Sequence, residues 1–296
     1  MWVRVLGAAA GGGFPQWNCR CPQCRAVRDG SRPCRPRTQS SLAVSADYRR
    51  WFLFNASPDL RTQIESFPAM RPSGLRDSPL QAVLLTDAEL DHTLGLLLLR
   101  EADRIEVHAT EAVHEVLCTG TGLLRTLSAY AQVEWRPVVT GTEISLVDGL
   151  SYRAFEAPTN KLAGFGIEQR ESVVGYRITD QRTRRSLVYL PSAQQLTAAM
   201  HAQLEGCACL FFDGTCWQND ELIRLGIAGK SSYEMGHLPI SGADGSLARL
   251  ASLPIPRKIY VHINNTNPIL LDDSPERHAV EEHGFEVAED GLELEI

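Results

Sequence analysis

The stretch from residue 81 to residue 100, QAVLLTDAELDHTLGLLLLR, constrains this chain more than any other. Residues 81–85 are an apolar run of strand length, and residues 86–92 are a polar turn with three carboxylates and one imidazole. Residues 93–100 are leucine-rich and predict a buried helix. A strand that hands over to a helix sets the intervening turn at the edge of a sheet, where α/β folds bind their ligands. Acidic residues ahead of a helix also serve as caps and dipole partners, each contributing about 0.3–1 kcal/mol. The Asp91-His92 pair on so tight a turn, with the isolated His262 in a similar setting downstream, points to a site rather than to capping alone.

The rest of the chain supplies strands for two such sheets. Val3 and Val5 alternate with Arg4 in a first strand over 2–6, and residues 40–45 and 51–55 form a hairpin pair turning near Asp47. A helix begins near Pro58. Further strands are expected at 104–108, 142–148, 152–156, 173–178, 186–190, 208–212 and 258–262, and helices at 111–118, 193–204 and 274–283. Two β-rich halves with flanking helices imply an α/β chain folded as a four-layer αββα sandwich. It is read as one domain over residues 1–296, with a cysteine-rich knuckle at about 18–37.

Composition excludes several classes. With 44% hydrophobic and 22% charged residues the chain reads as a soluble globular enzyme. A net charge of −7 argues against a dedicated nucleic-acid binder. No apolar run approaches the ~20 residues of a membrane helix, and the short apolar start gives way at once to glycines and cysteines, unlike a signal peptide. A cytoplasmic location follows as the expectation. A homo-oligomer is compatible with such a chain, and no sequence feature fixes its state.

Cys19, Cys21 and Cys24 place three thiols on one short loop. In a reducing compartment clustered cysteines bind metal more often than they form disulfides, and this spacing suits a structural Zn²⁺. Cys34 is the nearest thiol for a fourth position, with Asn265 as the other candidate. The glycine-rich run 7–13 lacks the lysine and serine or threonine of a phosphate loop and reads as a close backbone approach. Arg25, Arg28, Arg32, Arg35 and Arg37 form either a solvated loop or a basic rim over an anionic substrate.

The pattern Leu-Leu-Thr-x-x-x-x-Asp-His-x-x-Gly-Leu resembles the metal-binding turn of the metallo-β-lactamase superfamily, which implies that fold. In that superfamily the turn reads His-x-His-x-Asp-His and usually helps to hold two metals. Here the leading histidines stand as Asp87 and Glu89, residues 157–161 contain no histidine, and residues 191–193 contain no bridging aspartate. The resemblance carries over only Asp91, His92 and His262. Two imidazoles and one carboxylate with open positions form the ligand pattern of non-haem Fe(II) oxygenases. Mn²⁺ or Mg²⁺, drawn by oxygen ligands from Asp87 and Glu89, is the other metal expectation. The knuckle after a glycine-rich loop is similar to the cyclic-phosphate phosphodiesterase branch of the superfamily.

TDAELDH, EMGHLPISG, HINNTNPIL and the ending SPER…FEVAEDGLELEI together resemble the protein B family of pyrroloquinoline quinone (PQQ) biosynthesis, across essentially the whole chain. That resemblance implies iron- and O₂-dependent hydroxylation of a small-molecule precursor, a cross-linked Glu–Tyr amino acid, in the maturation of a redox cofactor. Carriage or transport of PQQ or its precursor, and metal-dependent hydrolysis, are the alternatives. His237 is expected as a proton donor or substrate ligand, Asp213 as a carboxylate at the rim of the site, and Arg177 as a partner for a substrate carboxylate. His108, His114, His201, His278 and His283 are not expected as ligands. The thiol site and the Asp91–His92–His262 site are expected to be separable, the first serving folding and the second activity.

Overall fold

The structure, a computed structural model, describes residues 1–160 and 171–296. Lys161, the last residue of the stretch 157–161, lies outside the described residues. The strands β1 (Trp2–Gly7), β2 (Ser41–Ser45), β3 (Trp51–Phe54), β4 (Leu80–Leu84), β5 (Arg104–Ala109) and β6 (Gln132–Pro137) build one sheet in sequence order. The strands β7 (Glu143–Ser145), β8 (Leu150–Glu156), β9 (Val174–Asp180), β10 (Arg185–Leu190), β11 (Cys209–Asp213), β12 (Arg257–Val261) and β13 (Phe285–Val287) build a second. β14 (Glu293–Glu295) returns to pair antiparallel with β1 at the edge of the first sheet. Each sheet is mixed. β1 to β3 and β7 to β10 pair antiparallel, whereas β3 to β6 and β10 to β13 pair parallel.

Alternation along the strands explains the layers. In β3, Phe52 and Phe54 face the second sheet and pack with Tyr176, Ile178 and Tyr189, while Trp51 and Leu53 face outward. The outward faces of the two sheets are covered by helices in two groups: α2 (Leu60–Ser66), α4 (Glu111–Glu115) and α5 (Leu123–Leu127) lie on the first sheet. On the second lie α6 (Ala198–Leu204), α8 (Ser246–Leu250), α9 (Pro275–Glu282) and α1 (Pro22–Asp29) of the knuckle. α3 (Leu90–Thr93) and α7 (Glu221–Arg224) are single turns beside the site. Helix, sheet, sheet and helix thus stack in four layers, as the strand pattern implied. Among the described residues no helix is long and apolar enough to cross a membrane.

Two local expectations change. Residues 93–100 are not a buried helix: α3 gives way to a 3₁₀ stretch, Leu94–Leu99, in which Leu94 and Leu98 are exposed. The cause is Gly95, whose N–H bonds Ala56 O while Ala56 N–H bonds His92 O. A Cβ on Gly95 would lie 2.1 Å from Ser57 O, so the turn is pinned to a neighbouring loop rather than to its own preceding turn. The helix expected at 193–204 starts only at Ala198, capped by the Thr197 hydroxyl. Residue 193 is taken up by the site, where its N–H bonds Asp213.

Candidate functional site

The parallel strands β4, β11 and β12 end on one side of the sandwich, and their exit loops surround a cavity of about 350 Å³. Asp87, Glu89, Asp91, His237 and His262 line it, with Lys230 and Glu234 on the loop before His237. Gly11 of the N-terminal loop lies against Asp91, where a Cβ would come 3.3 Å from Oδ2. Gly7 approaches Gln39 O so closely that a Cβ would lie 2.1 Å from it. The glycine-rich run is therefore a close backbone approach.

His92 is fully buried and donates from Nδ1 to Asp87, at 2.7 and 2.9 Å from its two oxygens. Asp87 also accepts the Thr86 hydroxyl and the Glu89 N–H. Burial works against the Asp87 carboxylate, but the His92 ring and these donors hold its pKa below the usual range. Burial likewise disfavours a charged His92, yet Asp87 and Asp91 outweigh it and push the imidazole up to about 9. A cation at Nε2, proton or metal, is thus electrostatically favoured. Among the described residues that Nε2 has no hydrogen-bond partner, and it faces Asp91 Oδ2 at 3.8 Å.

His262 leaves the end of β12 with φ 55°, a left-handed backbone that non-glycine residues rarely adopt. Its Nε2 is 3.2 Å from the same Asp91 Oδ2, and its Nδ1 is 2.8 Å from the Thr215 hydroxyl. Thr215 donates to Asp213 Oδ1 at 2.6 Å, so its oxygen accepts from His262 Nδ1–H, leaving the Nε2 lone pair to bind an ion beside Asp91. Asp91 is held below the carboxylate range by His92 and His262 despite its burial. One donor atom from each of Asp91, His92 and His262 lies within 4.8 Å of the others, so the three could hold one ion.

A second grouping, Asp213 with His237 and His262, is equally close but differently engaged. Buried Asp213 accepts Ala193 N–H, Thr215 N–H and His237 Nδ1–H, the last at 2.7 Å. Burial opposes its charge, and His237 with the His262 ring and the Thr215 hydroxyl holds its pKa below the usual range. Its lone pairs are taken, so this grouping is a hydrogen-bonded network behind the pocket, with His237 on the wall.

The thiols of Cys19, Cys21 and Cys24 also lie within 4.8 Å of one another. Cys21 caps α1, accepting Cys24 N–H, and Cys19 accepts Cys21 N–H. Burial pushes the Cys21 thiol up to about 12, whereas N–H and thiol hydrogen bonds bring Cys19 down against its burial. Buried thiols held by N–H donors fit a divalent ion, which would offset the cost of ionising all three. The Asn265 amide stands 3.2, 3.5 and 3.3 Å from the three sulfurs. Cys34 is outside the group, donating instead to Arg32 O, so of the two candidates for a fourth position Asn265 is the one at the cluster.

Other expectations are corrected. Arg177 does not end its strand but lies within β9, pointing away from the cavity, and donates to Gln203 O and Glu205 O at 2.6 and 2.8 Å. It closes the exposed carbonyls where α6 ends. The arginines of 25–37 do not form a rim: Arg37 is buried on Ala288 O, Arg32 pairs with Asp273 and Arg35 with Glu289. Asp87 is spent on His92 and is not an open oxygen ligand for a hard metal. His108 bonds Tyr152 and Glu106, and His114 stacks on Trp135, both outside the cavity. Thr215 and Lys230 were not foreseen, since a hydroxyl and a loop lysine carry no ligand spacing. The sequence Asp213-Gly214-Thr215 directly after an apolar strand was the available signal.

Two mixed sheets flanked by helices, with a metal-ligand cluster at the strand ends, define a metallo-β-lactamase fold. Residues 50–263 match the model of the beta-lactamase superfamily domain, a span that includes the whole Asp91–His262 cluster and stops short of both the thiols and Asn265. Over 99% of both chains the sequence is 46% identical to coenzyme PQQ synthesis protein B of Methylococcus capsulatus. It is 44% identical over 100% of both chains to that of Azoarcus sp.. The crystal structure of Zn²⁺-bound PqqB from Methylobacterium extorquens superposes with a TM-score of 0.92, at 42% identity and full coverage of both chains. The chain belongs to the coenzyme PQQ synthesis protein B family of the beta-lactamase superfamily.

Proposed function

We propose that this protein acts in PQQ biosynthesis as an Fe(II)- and O₂-dependent hydroxylase of the tyrosine-derived ring in the cross-linked Glu–Tyr precursor. The observation that supports it is the donor set: Nε2 of His92, Nε2 of His262 and Oδ2 of Asp91 face one point. The residue types of that set suit non-haem iron, and the ligands for a second ion are absent from the turn. Iron, when bound, supplies the activation of O₂.

The chain's own residues do the rest. Asp87 and Thr215 fix the two imidazoles in the tautomer that presents Nε2. His237, backed by Asp213, holds or moves a proton at Nε2 beside the substrate ring. Lys230, the cationic side chain among the described residues of the cavity wall, receives a substrate carboxylate in the role expected of Arg177. The overall step inserts one oxygen atom of O₂ into a ring C–H bond and releases the other as water. Its two electrons come from an external reductant.

One feature favours hydrolysis as a second reading: the His237–Asp213 pair is also suited to protonating a leaving group. Turnover of the precursor by metal-loaded protein, with ascorbate present, separates the two. The hydroxylase consumes O₂ with product and stops under argon; product formed at an undiminished rate under argon identifies the hydrolase.

A further inference from the structure

The knuckle and the cavity look like independent sites, yet one loop serves both. Residues 262–268 leave β12 with His262, and three residues later Asn265 stands among the thiols of Cys19, Cys21 and Cys24. While protonated, the Cys21 thiol also donates to Asn265 O at 3.4 Å, and once ionised it holds Asn265 through the shared ion instead.

Between those ends the loop is held from two sides. The body of the second sheet holds it through Asn264 N–H to Thr215 O and through the Asn267 amide to Gly214 O. The N-terminal segment holds it through Ile263 N–H to Ala8 O and Ala10 N–H to Ile263 O. The same segment runs on through Gly11, beside Asp91, to the cysteines. His262 needs such support, because its left-handed backbone is one that a β-carbon disfavours and that surrounding contacts must enforce. The thiol cluster is therefore one of the clamps on a strained residue that carries a donor atom of the cavity.

We propose that Asn265 is a positioning residue, through which a divalent ion among the three thiols sets His262 and so strengthens metal binding at Asp91, His92 and His262. The Asn265 amide, turned about its χ2 axis, presents Oδ1 to such an ion, and the ion then fixes the loop on which His262 sits. The two centres are coupled rather than separable. By linkage, an ion in the cavity tightens the thiol site by the same factor. The coupling rests on the proposed assignment of a metal ion to the Asp91–His92–His262 cluster.

The test uses the full-length protein and two metals added in turn under argon. Zn²⁺ is supplied at one equivalent to occupy the thiols, and Co²⁺ is then titrated by calorimetry, with ¹⁵N-histidine NMR following the His262 ring. The Zn²⁺-loaded Asn265→Ala protein retains three thiolates for zinc. It is expected to bind cavity Co²⁺ about tenfold more weakly than wild type, the lower end of what loss of a ligand-orienting contact costs. Its His262 resonances should broaden or shift, and Asn265→Asp, which keeps an oxygen donor at the same reach, should restore both. Wild-type Co²⁺ affinity and an unchanged His262 spectrum in Zn²⁺-loaded Asn265→Ala would overturn the coupling. Absence of Co²⁺ binding in wild type, or binding that survives Asp91→Ala, would instead overturn the metal reading of the cavity itself.

Discussion

The two donor clusters are built in opposite ways. The thiol cluster draws its sulfurs from six consecutive residues, 19–24, folded onto the start of one helix, with a single distant group, Asn265, closing it. The Asp91–His92–His262 cluster joins the exit of a strand in one sheet to the exit of a strand in the other, 171 residues apart for Asp91 and His262. A local cluster can form early and order the chain around it. A cluster spanning two sheets forms only once both sheets have packed, and its geometry inherits every support around it. Asp87, Thr215 and the 262–268 loop are those supports.

The largest effects should come from the donors of the spanning cluster. Asp91→Ala or His262→Ala is expected to abolish iron retention and O₂ uptake together, read by metal analysis and an oxygen electrode. Full O₂-dependent turnover in His262→Ala would break the assignment.

Cys21→Ser should act on the fold instead. Loss of zinc is expected to reduce soluble yield and lower Tm by on the order of 5–10 °C by calorimetry, since metal binding at such sites is folding free energy. An unchanged melting curve would make the thiol cluster dispensable to the fold.

Supports should matter less than donors. Thr215→Val removes the acceptor for His262 Nδ1–H and the hydroxyl that bonds Asp213, and is expected to weaken cavity Co²⁺ binding about 10–100-fold, while Thr215→Ser stays near wild type. Equal affinities for all three proteins would show that the hydroxyl does not orient the ring. For Lys230→Met, steady-state kinetics should give a KM about 5–10-fold higher with kcat nearly unchanged, the signature of lost uniform binding. A fall in kcat alone would remove it from substrate recognition.

The smallest effect concerns the far anchor of the shared loop. Buried Glu221 accepts the Thr266 hydroxyl and Trp217 N–H, and burial outweighs these donors to raise its pKa above the usual carboxylate range. Between the ordinary and the raised value the folded chain binds more protons than the unfolded one, so stability falls as pH rises through that window. Urea melts across that window should show this slope in wild type and a flatter profile in Glu221→Gln. A slope of opposite sign would contradict the burial argument.

Much of this architecture is legible in the sequence because strands alternate. Phe52 and Phe54 against Trp51 and Leu53 announce a strand buried on both faces, and the parallel strands ending at Asp213 and His262 announce polar exits. Asp91, His92 and His262 could be singled out because ligand residue types stood at strand exits and resembled a known turn. In the sequence Asp87 reads as the place of a lost histidine or as an oxygen ligand for a hard metal, because its hold on His92 is a contact that the turn must fold to create. Thr215 carries in the sequence only the weak signal of following Asp213 at the end of an apolar strand, since one hydroxyl bonding two rings and a carboxylate depends on three loops meeting. Arg177 misled because a cation near a strand end suits a substrate equally well as it suits the carbonyls that end α6. The 93–100 run misled because burial by composition says nothing about which backbone groups its amides bond, and Gly95 bonds a neighbouring loop.

The most direct measurement is the metal inventory of wild type, His92→Ala and Cys21→Ser, each purified without oxygen and read by mass spectrometry of the metals. Wild type should carry about one zinc and one iron per chain. His92→Ala should keep its zinc and lose its iron, because thiolate–zinc binding of about 10–16 kcal/mol far exceeds a tenfold coupling. Loss of zinc from His92→Ala with retention of zinc by Cys21→Ser would reverse the roles of the two clusters and contradict the assignment.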